Sequence, residues 1–226
     1  MRRILGVDLV AIYLGGSYAL GDFVPGASDY DLLVVTARDL TDDDVARLRA
    51  YHPDLAKRDP ESLQLEGDYA PRDALVSAGT TRPVWWFREG SLREPDFMLS
   101  ADNIMNMRDV GIALVGPSPR ELLPDVTEDD VRAAVREMLV ETPDASTERA
   151  AAGELLAVAR SLAAIETGRP TSNAAGLRWA LASVDPRWHE ALRRAAEVQR
   201  GAPVDESDDR LRRVLSEWRA SLGLRS

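Results

Sequence analysis

Two rhythms of apolar and polar residues divide this chain. In the first half the apolar runs are short, rich in β-branched and aromatic residues, and bounded by Gly, Pro and Asp. "VDLVAIYL", residues 7–14, has the length and composition of a buried strand and stops at Gly15-Gly16. Ser17 to Gly21 predicts a short helix, followed by the loop "DFVPGAS" and a second strand from Tyr30 to Val35. "DLTDDDVARLRAYH" combines an N-cap Thr41, acidic residues in the first turn and helical apolar spacing. "SLQLEGDYA", residues 62–70, alternates apolar and polar positions and predicts a third strand. "TTRPVWWFREG" fits either a further strand or a loop with an aromatic cluster.

From Asp102 onward the period becomes helical, with breaks at Pro and Gly. "ADNIMNMRDVGIAL" stops at "VGPSPREL", and "TEDDVRAAVREMLVE" starts with Thr127 as N-cap and Asp130 at the capping-box position. "TERAAAGELLAVARSLAAIETG" is rich in Ala and Leu and ends at Gly168. "AAGLRWALASV", "RWHEALRRAAEVQRG" and "DRLRRVLSEWRASLG" complete the set. An α/β half followed by an all-helical half is expected, with no internal repeat.

Composition narrows the function classes. The 226 residues suffice for two small domains, and the absence of cysteine excludes disulfides and thiolate metal sites. No apolar run approaches the ~20 residues needed to span a bilayer. The basic start "MRR" leads directly into the first strand and turn, so no signal peptide and a cytoplasmic location are expected. The net charge of −10 argues against a nucleic-acid partner and suits a cationic ligand, although acidic surfaces also serve solubility alone.

The chemistry concentrates in "GGSYALGDFVPGASDYDLLVV", residues 15–35. Side chains alternate along a strand, so Asp29 and Asp31 share a face. Paired carboxylates repel unless a cation lies between them, and hard oxygen ligands suit Mg²⁺ with substrate phosphate oxygens completing its shell. The Gly-Gly-Ser turn ahead of a helix offers backbone N–H groups to an anion, and Ser17 adds a hydroxyl. Glu66 and Asp68 share a face of the third strand, and either is a candidate general base for deprotonating a hydroxyl. His52 and His189 are too unlike in context to form a metal pair.

Gly15-Gly16-Ser17 followed by Asp29-Tyr30-Asp31 resembles the nucleotidyltransferase superfamily of the DNA polymerase β type. The likeness extends to the aminoglycoside (streptomycin/spectinomycin) adenylyltransferases. "RDVGIALVGPSPRELL" is similar to their inter-domain segment, and "ARSLAAIETG" followed by "LRWAL" to their helical domain. The resemblance implies an α+β fold, with a nucleotidyltransferase domain (mixed sheet, flanking helices) over residues 1–110 and an all-α bundle over residues 111–226. It further implies AMP transfer from Mg-ATP to a hydroxyl of a small, cationic acceptor, in a monomer or dimer.

By position, Asp29 and Asp31 match the metal pair, Gly16, Ser17 and Ser28 the phosphate contacts, Glu66 the base, with Asp68 the alternative, and Arg160 a nucleotide contact from the helical domain. Trp85, Trp86 and Glu148 are candidate acceptor contacts. The family's second nucleotide-directed cation, a lysine, is replaced by Asn173, and two acceptor-binding aspartates are replaced by Ser146 and Ala150. These departures leave two rivals open: a nucleotide-binding protein without catalysis, and a nucleotidyltransferase acting on a protein side chain, as in toxin–antitoxin systems.

Overall fold

The period-two runs become a six-stranded mixed sheet. The computed structural model describes residues 1–26, 28–141 and 145–224. The chain divides into two units, Met1–Thr127 and Glu128–Ser226. In chain order the first unit runs α1 (Arg2–Leu5), β1 (Leu9–Leu14), α2 (Gly16–Ala19), β2 (Tyr30–Thr36), α3 (Asp42–Arg58) and β3 (Leu65–Pro71). It continues with β4 (Leu75–Val76), β5 (Gly79–Thr80), β6 (Trp85–Arg88), β7 (Ser91–Arg93), α4 (Ala101–Val110), β8 (Ile112–Val115) and α5 (Pro119–Leu122).

The sheet order is β7-β6-β3-β2-β1-β8, and β4 and β5 form a separate small hairpin. Among the described residues only β2 and β3 run parallel; their register sets Asp31 beside Glu66 and Leu33 beside Asp68. Alternation along β2 buries both sheet faces. Leu33 and Val35 join Ile104 and Met107 of α4 in one core, whereas Leu32 and Val34 join Leu48 of α3, Tyr69 and Phe87 in the other. Asp31, at the start of β2, therefore belongs to the α4 face. The Thr41 capping box forms as expected, with Asp44 as its acidic partner, and α3 continues through Pro53 to Arg58.

Three expectations shift. "SLQ" at residues 62–64 lies in a 3₁₀ turn, and the strand begins at Leu65. "GIAL" does not extend α4. The helix closes at Gly111, where a Cβ would come 2.1 Å from the Met107 carbonyl oxygen, and the following apolar residues pair with β1 as β8. That pairing draws residues 112–115 into the first unit, so the division falls after Thr127 rather than after residue 110.

The second unit is all-helical: α6 (Glu128–Glu141), α7 (Glu148–Thr167), α8 (Asn173–Ser183), α9 (His189–Gln199) and α10 (Arg210–Ser221). Helix α7 is central and packs against the other four. Ala151, Ala152, Ala159, Ala163 and Ala164 are buried along it, and small side chains let neighbouring helices come close. Thr147 caps its start and Gly168, in the left-handed region at φ 70°, ends it. Among the described residues, no helix is long and apolar enough to cross a membrane.

Candidate active site

The turn between β1 and α2 is built around two glycines that cannot be replaced cheaply. Gly16 has φ 58°, in the region disfavoured for residues with a Cβ, and an added Cβ would meet Asp31 Oδ2 at 1.6 Å. At Gly15 a Cβ would crowd Met107 Sδ at 2.5 Å and Asn106 Oδ1 at 2.8 Å. The Gly15 N–H donates to the Asp31 carbonyl (2.9 Å), and the Gly16 N–H donates to Asn106 Oδ1 (2.8 Å). The turn thus clasps the backbone and side chain of Asp31. It also corrects one expectation: the Gly16 amide is engaged by Asn106 instead of being open to a phosphate. We predict that Gly16→Ala costs about 1–3 kcal/mol in stability and abolishes activity, because the carboxylate must move; a thermal melt beside a turnover assay checks both.

Ser17 lies half-buried on α2, immediately after this turn. Ser28 closes the intervening loop: its Oγ accepts the Val24 N–H at 3.0 Å and its own N–H donates to the Val24 carbonyl at 2.9 Å. Both serines keep a hydroxyl proton to donate.

The acidic residues gather where β2 begins. Asp29 lies just before β2, Asp31 within it, and Glu66 is the register partner of Asp31 on β3. Asp68, one repeat further along β3, sits deeper. A cleft of about 150 Å³ opens here, with Asp31, Glu66 and Asp68 on one side and Phe97, Leu99, Asn103, Ile104 and Met107 on the other. Burial pushes the carboxyls up: Asp68 to about 7, reinforced by Glu66 and Asp31, and Glu66 upward by burial, opposed by Arg88 and reinforced by Asp29 and Asp31. Asp29 is raised for the same first reason, again with Arg88 opposing. Arg88, at the end of β6, is the nearby cation: Nη2 is 3.6 Å from Asp29 Oδ2 and Nε 3.5 Å from Glu66 Oε2.

Among the described residues, no group of three or more His, Asp or Glu side chains is arranged to hold a metal unaided. Magnesium does not require one, because it is commonly bound by one or two carboxylates with waters and substrate phosphates. The donor set fits that mode: hard oxygens only, with like-charge crowding that a cation relieves.

The acceptor candidates separate. Trp86 pairs with Asp68 across β3 and β6 and so shares its face; its ring meets Phe97 edge-on at 5.7 Å, and its Nε1 donates to Asp96 Oδ1 at 2.9 Å. Trp85 pairs with Tyr69 and faces the α3 side, with the Arg49 guanidinium 5.4 Å over its ring. It is therefore not a lining residue of the cleft. Glu148 is likewise unavailable to an acceptor. It is 2% exposed, and its carboxylate accepts N–H groups of Leu211 (2.9 Å) and Arg212 (3.1 Å) in the first turn of α10, plus Arg212 Nε at 3.2 Å. His52 is buried against Phe87 and 2.9 Å from the Tyr69 hydroxyl, and His189 contacts the Val184 carbonyl.

Arg160 lies on α7 of the helical unit. Gly176 of α8 packs directly on its backbone; a Cβ there would come 2.5 Å from the Arg160 Cα. Asn173, at the start of α8, has a buried Oδ1 with no hydrogen-bond partner among the described residues.

Two family models match stretches of the chain. Residues 1–78 match the nucleotidyltransferase domain model, and residues 121–221 match the aminoglycoside adenylyltransferase C-terminal domain model. The chain thus carries a stretch similar to a nucleotidyltransferase domain followed by one similar to an aminoglycoside adenylyltransferase C-terminal domain. The structure of spectinomycin adenyltransferase AAD(9) from Enterococcus faecialis, solved with ATP and spectinomycin, matches this chain with a TM-score of 0.70. The match spans 98% of this chain and 94% of that one at 17% identity, a likeness of fold. No curated protein sequence matches it significantly. Asn106, Arg88, Trp86 and Phe97 lie between the two matched stretches. Sequence reasoning missed Asn106; the available signal was an amide at helical spacing beside the apolar Ile104 and Met107.

Proposed function

We propose that the chain transfers AMP from Mg-ATP to a hydroxyl of a small, cationic acceptor of the aminoglycoside type. One observation carries this reading: Asp31 and Glu66 stand side by side in the parallel β2/β3 register, in front of a Gly-Gly turn locked onto Asp31. Asp29 and Asp31 would hold magnesium, which when bound offsets charge on the triphosphate. Ser17 and Ser28 donate hydroxyl protons to phosphate oxygens. Glu66 accepts the proton of the acceptor hydroxyl, whose oxygen attacks the α-phosphorus as pyrophosphate leaves in line. The acidic side of the cleft favours ammonium groups, and its apolar side, with Phe97 and Met107, suits the flat face of a ring.

The test is pyrophosphate release from each common ribonucleoside triphosphate with Mg²⁺, across a panel of aminoglycosides including spectinomycin and streptomycin. The expected result is release with ATP that depends on an acceptor. Silence across the panel, or release indifferent to the acceptor, overturns the reading.

A further inference from the structure

Arg88 stands in an unusual place, beside two members of the carboxylate group proposed above to handle metal and proton. The antiparallel ladder pairs Gly67 with Phe87 and Asp68 with Trp86, and the next position brings Arg88 alongside Glu66. A tight hairpin then turns at Glu89 and Gly90, with φ 50° and 68°, which fixes the root of Arg88 at the mouth of the site. The guanidinium lies 3.6 Å from Asp29 and 3.5 Å from Glu66, close enough for attraction yet outside hydrogen-bond geometry. Its side chain is 48% exposed, against 43% and 32% for its two partners. A cation held this way balances charge without being locked in place.

We propose that Arg88 is a built-in counter-ion, a positioning residue that occupies the field of the acidic cluster until a divalent metal displaces it. The inference rests on the metal assignment to Asp29 and Asp31. Like charges exclude each other at such distances, so the guanidinium must swing away from Asp29 as an ion arrives. The site thereby avoids the repulsion of an empty acidic cluster and binds bare metal weakly.

The experiment is a nucleotide-free Mn²⁺ titration of the full chain, read by electron paramagnetic resonance, for the parent, Arg88→Gln, Arg88→Ala, Arg88→Lys and Asp31→Asn. Removing the competing charge should tighten Mn²⁺ binding roughly three- to tenfold in the Gln and Ala variants, the size expected for two half-exposed ion pairs. The Lys variant should stay near the parent. General damage to the site would weaken Mn²⁺ binding, the opposite sign. Unchanged or weaker binding in both neutral variants overturns the role of Arg88, and if Asp31→Asn still loses Mn²⁺, the metal assignment survives that failure. Mn²⁺ binding that persists in Asp31→Asn, or is absent from every protein, overturns the assignment and the proposal together.

Discussion

Asp31→Asn is expected to reduce nucleotidyl transfer by about a thousandfold or more while leaving the first unit folded, since metal-ion stabilisation of a transferring phosphoryl group supplies several kcal/mol. The two effects separate for a physical reason. The Asp31 side chain packs on Gly16, and Asn keeps its shape, so the turn and its hydrogen bonds persist. The lost charge is one that Glu66 and Asp68 both feel as repulsion. The melting temperature should therefore hold or rise, as happens where function opposes stability. Turnover within tenfold of the parent, measured on protein with an intact melt, contradicts the role given to Asp31.

Glu66→Gln and Asp68→Asn should differ sharply. Glu66 lies level with Asp31 and half-open to the cleft, and loss of a general base lowers rate by roughly 10²–10⁴-fold. Asp68 is deeper and pushed up to about 7, so near neutrality it already carries much of the proton that a base would have to accept. Asp68→Asn should cost less than about tenfold in rate. Its larger effect is on stability, and the sign follows from the raised folded value. The folded state holds the Asp68 proton more tightly than the unfolded chain, so stability declines as pH rises from about 4 through about 7. Asp68→Asn removes that decline, with a gain of roughly 1–3 kcal/mol above pH 7 and none at pH 4. A pH series of denaturant melts reads it directly. Equal rate losses in the two variants would contradict the assignment of Glu66 as base.

How much of this was legible in the sequence depends on the distance over which each feature is determined. Strand alternation is local, so the shared face of Glu66 and Asp68 could be read from spacing two, whereas Asp29 lies just before β2 and its strand-face pairing with Asp31 does not form. The Gly-Gly-Ser turn was equally local. What the turn's amides do was not, because Asn106 reaches Gly16 from a helix ninety positions later in the chain. The same holds for Trp85 and Trp86: adjacent residues on a strand must part, but which one shares the face of Asp68 depends on the pairing of β6 with β3. Glu148 is a candidate acceptor contact by sequence position, yet its carboxylate caps a helix that begins more than sixty residues downstream. "GIAL" read as helix because its apolar spacing is ambiguous at that length, and the strand pairing with β1 decided it. Arg88 carried no signal of its own, since its meaning comes from the register that sets it beside Glu66.

The proposed activity is adenylyl transfer that depends on Asp31. The most direct measurement is mass spectrometry of spectinomycin and the other aminoglycosides of the panel after incubation with the chain, Mg²⁺ and ATP. The expected result is an acceptor heavier by one adenylyl group with the parent protein and unmodified with Asp31→Asn. Acceptors that all remain unmodified with the parent, or an adduct that forms equally well with Asp31→Asn, would contradict it.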